Sequence, residues 1–168
     1  MLKKNLHFFS RYAILLLLLT STLHLFACKP REENYLSMLD APLSFNCEIS
    51  YNSKEIARAL IEKTGDLITV RFTYPSALCG TVLTMTQNDA RMSYNGTELS
   101  PDAIPTLWLE ISALLSKDKK IIAITCENGI TEIHTENDLG TYDYKTGTNG
   151  ELISADNGIL TLTVQKGN

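Results

Sequence analysis

Histidine, tryptophan and closely spaced cysteines are scarce in this 168-residue chain. It holds three histidines, one tryptophan and four cysteines, and no cysteine pair stands in a C-x-x-C spacing. With no paired histidines either, a metal centre of thiolate or imidazole ligands has nothing to build on. No Gly-x-Ser-x-Gly elbow and no phosphate-cradling glycine loop occurs, so two common signatures of catalysis are missing. There is also no apolar run of the roughly 20 residues that a membrane span requires.

What is present is ordinary for a globular protein: 44% hydrophobic and 20% charged residues, too apolar for disorder. The length suits one domain with a modest core. The unusual bias lies at the start. Residues 1–27 contain Lys3, Lys4 and Arg11 and no acid, followed by the apolar run Ala13-Ile14-Leu15-Leu16-Leu17-Leu18-Leu19. The small, polar Thr20-Ser21-Thr22 comes next, and the stretch ends Leu25-Phe26-Ala27-Cys28. A basic n-region, an apolar h-region and a cleavage region make a secretory signal; the alternative is an uncleaved N-terminal anchor.

Leu25-Phe26-Ala27-Cys28 resembles the lipobox of bacterial lipoproteins. The resemblance implies cleavage between Ala27 and Cys28 and diacylglyceryl modification of Cys28, which becomes the mature N-terminus. Each buried CH₂ of an acyl chain contributes about 0.8 kcal/mol, so two or three chains hold a protein on a membrane. Without Lys3, Lys4 and Arg11, 12 of the 15 basic residues remain against 19 acidic ones, a net charge of −7. That balance argues against nucleic acid, and against a domain lying flat on anionic lipid. The expected organisation is a signal peptide over 1–27, a lipidated tether over 28–42 and a β domain over 43–168. The tether is polar, although Tyr35, Leu36, Met38 and Leu39 could dock on the domain or form a helical turn.

Downstream, Phe45, Cys47, Ile49 and Tyr51 alternate with polar residues, as on a half-buried strand. Residues 54–63 are ambiguous: Ile56, Ala57, Leu60 and Ile61 fit a helical stripe, but Thr64-Gly65-Asp66 is a hairpin signal. The strand reading is preferred, paired with a second strand over 67–74. Further strands are expected over 81–87 and 90–94, closed by Asn95-Gly96. Residues 106–117 read as one amphipathic helix, with Leu107, Trp108, Ile111, Leu114 and Leu115 on one face. Pro105 suits its start and Lys117 its end. Short strands over 121–126, 130–134, 141–144, 152–155 and 159–165 then form a meander. The fold class is α+β: a curved antiparallel sheet of about nine to ten strands, an unclosed barrel, with the helix on its concave face.

Phe45-Asn46-Cys47-Glu48-Ile49, Phe72-Thr73-Tyr74-Pro75, Leu78-Cys79-Gly80-Thr81 and Ser93-Tyr94-Asn95-Gly96 precede a helix over 104–117. Together these elements resemble a group of small clostridial-type lipoproteins, over about residues 45–165. That group is similar in layout to LolA, LolB and LppX, which fold an unclosed β-barrel around helices and hold lipid or acyl chains in the hollow. The resemblance carries no catalytic residues.

Two readings of the apolar residues stay open. They form the core under the helix, or Phe72, Tyr74, Met92, Tyr94, Trp108 and Ile111 line an acyl-sized hollow, for which a few hundred Å³ is the usual volume. The first partner class is therefore a lipid or other hydrophobic ligand, and the second is another envelope protein bound by a sheet edge or the acidic face. His134 is the only histidine after residue 27; on a strand it shares a face with Glu132 and Glu136, most simply a solvated outer surface. The stretch from Tyr142 to Glu151 lacks alternating acidic ligands and reads as a hairpin turn, not a calcium loop. Cys47, Cys79 and Cys126 are an odd number; the simplest role for each is that of a small buried hydrophobe. No enzyme site, metal or cofactor is expected. The chain is expected to face outward from a bacterial cell membrane.

Overall fold

A computed structural model describes residues 35–86, 89–99 and 106–165. The signal segment, Ala27, Cys28 and the 100–105 stretch with Pro105 lie outside the described residues. Among the described residues no helix is long and apolar enough to cross a membrane.

The first six strands are β1 (Leu43–Tyr51), β2 (Lys54–Thr64), β3 (Leu67–Tyr74), β4 (Thr81–Met85), β5 (Ala90–Tyr94) and β6 (Thr97–Leu99). The helix α1 (Thr106–Leu115) follows. Five more strands close the chain: β7 (Lys120–Glu127), β8 (Ile130–Asn137), β9 (Gly140–Thr146), β10 (Leu152–Asp156) and β11 (Leu160–Val164). All eleven form one sheet in the order β6-β5-β4-β3-β2-β1-β11-β10-β9-β8-β7. Each half is a run of hairpins, and β1 joins them by pairing with β11, from Cys47 opposite Val164 to Tyr51 opposite Leu160. The sheet stays open, with β6 and β7 as its edges, and α1 lies between those two strands in sequence. The expected open sheet with one helix is therefore observed, with eleven strands where about nine to ten were expected. The extra strand, β6, is three exposed residues held only by its pairing with β5, too short to leave an alternation in the sequence.

Residues 54–64 are a strand because their inward positions alternate: Ala57, Ala59, Ile61 and Lys63 are buried, while Ile56 faces solvent. The apparent helical stripe mixed the two faces. Register shifts at Ile49/Ser50, Arg58/Ala59, Ile121/Ala123 and Leu152/Ser154 bend the strands. One core gathers Trp108, Ile111, Leu114 and Leu115 of α1 with Ile49, Ile61, Val70, Leu83, Ile133, Tyr144, Leu160 and Leu162 of the sheet. Small side chains at Cys47, Ala57, Ala59 and Ala155 in the central strands leave room for a helix to approach.

The domain begins before residue 43. A 3-10 turn over Ser37–Leu39 buries Leu39 completely and Leu36 almost so. Lys63, an inward cation on β2, donates to the Leu39 carbonyl. From Tyr35 onward the chain belongs to the compact unit, so within the stretch expected as a tether over 28–42 Tyr35, Leu36, Met38 and Leu39 dock on the domain, as one of the two readings had it.

Candidate functional site

The C-terminal turn of α1 leaves carbonyls that no helical N–H can reach. Two side chains take them. The Tyr144 hydroxyl on β9 donates to the Leu114 carbonyl at 2.7 Å. The Lys119 ammonium donates to the Ala113 carbonyl at 2.6 Å and also to that of Ser116. Lys119 lies 4.5 Å from the centre of the Tyr142 ring and 5.7 Å from that of Tyr144. Burial lowers its pKa from 10.5 to about 8, and the Lys63 charge acts in the same direction. Lys117, expected to serve the helix end, instead pairs with Asp40 at 3.1 Å, on the surface. Sequence spacing could not separate two lysines two residues apart.

Beside this clamp runs an open groove of about 570 Å³. One wall is the outer side of α1, with Leu109, Glu110 and Ala113; the other is the β8–β9 turn, Tyr142 and the β10–β11 turn. Its rim carries large exposed apolar residues: Leu109 at 56%, Leu139 at 81% and Ile159 at 44%. Two asparagines hold the turns. Asn137 Oδ1 accepts from the backbone N–H of Leu139 at 2.9 Å and of Gly140 at 3.2 Å. Asn157 Oδ1 accepts from Ile159 at 3.1 Å and Leu160 at 2.7 Å, while its amide donates to Glu110. The β10–β11 turn is thereby tied to α1, while the β8–β9 turn is held by its own asparagine. Burial raises the pKa of Tyr142 and, further, that of Tyr144, so both phenols remain protonated donors at neutral pH.

None of the six residues expected to line a hollow lines this groove. Trp108, Ile111 and Phe72 are buried in the core, at 3%, 0% and 7% exposure, and Met92 packs partly against them. These residues belong to the one core cluster that α1 shares with the sheet. Tyr94 lies opposite Thr81 on the inner face but at the rim, 43% exposed. Tyr74 is a correction: past a bulge at Thr73 of β3 it pairs with Arg58, not with inward Ala59, and is 51% exposed. Opposed residues share a face, and the Arg58 guanidinium lies 5.5 Å from the Tyr74 ring centre. A one-residue slip turned this side chain outward.

On the outer face His134 Nδ1 lies 2.6 Å from Asp143 Oδ1, flanked by Lys145–Glu132 at 2.7 Å and Lys120–Glu136 at 3.4 Å. This is an exposed ladder of cross-strand polar and charged pairs, the solvated outer surface expected of that face. The β9–β10 connection is a hairpin turn in which the Glu151 carboxylate accepts from the Asn149 N–H at 3.0 Å. Among the described residues no group of three acidic, histidine or cysteine side chains could hold a metal ion. Of the three described cysteines only Cys47 is a buried hydrophobe, its thiol pKa pushed up to about 12 by desolvation. Cys79 and Cys126 correct the expectation: both are exposed and free. No family of known proteins matches the chain, and no curated protein is significantly similar to it.

Proposed function

We propose that the protein is an outward-facing bacterial lipoprotein, anchored by lipid on Cys28, and a non-catalytic module that binds a lipid or similar hydrophobic ligand. The ligand site in this reading is the groove beside α1, not a hollow beneath it. The observation that carries it is the meeting of Leu109, Leu139 and Ile159 around a cleft of about 570 Å³. Clefts of this size suit small ligands, and exposed apolar clusters on a soluble domain mark binding surfaces. An acyl chain laid against Ala113 and Tyr142 would leave its polar end near Glu110 and Asn157.

A fluorescent long-chain fatty acid tests the site, titrated into the soluble 29–168 segment. Saturable binding that is lost in Leu139→Asp, with the melting temperature unchanged, supports the reading. No binding by the wild type, or equal binding by the variant, rejects it. The anchor has its own test: Cys28→Ala should stop incorporation of labelled palmitate and release the protein from membranes. An assembly lipoprotein that docks on another envelope protein is the second reading, favoured by the burial of Trp108, Ile111 and Phe72 in the core.

A further inference from the structure

Of the two open edges, β6 is only three residues long, but β7 runs for eight, Lys120–Glu127, with a strand neighbour on one side only. Exposed edges are normally blunted by proline, a mid-strand lysine, an inward charge or a bulge. β7 has none of the first three: between its terminal Lys120 and Glu127 stand Ile121, Ile122, Ala123, Ile124, Thr125 and Cys126. Its one irregularity is the bulge at Ile122, which is 53% exposed.

The pairing of β7 with β8 fixes which way each residue points. Ile121, Ile124 and Cys126 oppose Thr135, Ile133 and Thr131 on the inner face; Lys120, Ala123 and Thr125 oppose Glu136, His134 and Glu132 on the outer. With Ile122 set aside as the bulge, the strand alternates without a break and reads the same way from either end. A second β7 laid antiparallel about a two-fold axis at Ile124 then matches face to face. Ile124 meets its own copy, Ala123 meets Thr125, Ile121 meets Cys126, and Lys120 meets Glu127. Both ends close on opposite charges, and Glu127 has no ion-pair partner among the described residues. From this self-complementarity we infer that β7 is the edge through which two copies of this chain join their sheets, in an isologous dimer.

The test uses the full chain, with Cys79→Ser and Cys126→Ser, carrying Ile124→Cys at the two-fold axis. Mild oxidation of cells should give a disulfide-linked dimer on a non-reducing gel, because opposed Cα atoms in an antiparallel pair are about 4.5–5.5 Å apart, within disulfide reach. Leu99→Cys on β6 in the same background should stay monomeric. Lys120→Glu in the Ile124→Cys chain makes both end pairs like-charged and should lower the crosslinked fraction about tenfold. Adding Glu127→Lys should restore it, which loss of folding alone would not allow. A monomer with Ile124→Cys, equal crosslinking at Leu99→Cys, a band of any mass other than two copies, or no rescue by the double swap overturns the inference.

Discussion

The buried Tyr144 hydroxyl donates a 2.7 Å hydrogen bond to the Leu114 carbonyl, so a strand side chain completes the last turn of the only helix among the described residues. Tyr144→Phe leaves that buried carbonyl without a partner. The expected loss is about 1–3 kcal/mol of unfolding free energy. Urea titration of both proteins measures it; a change below a few tenths of a kcal/mol would mean that water replaces the phenol.

Lys119 should leave a mark on the pH dependence of stability. Unfolded, its amine keeps its proton to about 10.5; in the fold burial lowers the pKa to about 8. Between these values the unfolded chain binds more protons, so stability contributed by this group rises with pH. Cys47 acts in the opposite sense. Its native thiol holds a proton to about 12 while the unfolded thiol, with an ordinary value of 9.0, releases it earlier, so stability falls above pH 9. The Lys119 contribution is therefore cleanest between pH 8 and 9. Wild type should gain stability relative to Lys119→Met across that window, and a difference that stays flat or reverses there contradicts the placement of Lys119.

The thiols separate by accessibility. A maleimide should label Cys79 and Cys126 rapidly in the native protein and Cys47 only on unfolding, because Cys47 is buried and protonated. Mass spectrometry of peptides after a short pulse reads the order directly. Prompt native labelling of Cys47 would place β1 outside the core.

Gly80 has φ +89°, and a Cβ there would stand 2.2 Å from Asn95 Oδ1. Gly80→Ala therefore combines left-handed backbone strain, about 1–2 kcal/mol, with a collision. Removing the second side chain in Gly80→Ala/Asn95→Gly should recover the collision but not the strain. Thermal melts of the single and double variants distinguish the two parts. Because Asn95 itself stands at φ +47°, Asn95→Gly is melted alone as well: without a collision the two changes would simply add, and recovery beyond additivity measures the collision.

What could be read from the sequence was local. Thr64-Gly65-Asp66 and Asn95-Gly96 are turns, and the alternation of Cys47 and Ile49 or of Val70 and Phe72 names an inner face, because both signals lie within a few residues. The pairing of β1 with β11 links residues more than a hundred positions apart, and no turn chemistry announces it. Tyr74 shows a subtler limit. The alternation that puts Phe72 inside breaks at Thr73, an extra residue of β3 that turns Tyr74 to the other side of the sheet. The groove was hidden for a similar reason: Leu109, Leu139 and Ile159 come from three separate segments, and each alone looks like an ordinary exposed residue.

Ile111 decides between a packed centre and a hollow one. It is wholly buried on α1, among residues that a hollow barrel would use to line its ligand space. If the core is filled, Ile111→Ala opens a cavity and costs roughly 2–5 kcal/mol. If an empty hollow lay beneath the helix, the methyl groups would already lack neighbours and the loss would be far smaller, because dispersion contacts absent in the native state cannot be removed. Fatty-acid binding at the outer groove should survive Ile111→Ala, since that residue is not part of its wall. Chemical denaturation together with a binding titration of this one variant thus separates the two architectures: a large stability loss with binding intact supports the filled core and the lateral groove, whereas a small loss with altered binding returns the ligand to the space under the helix.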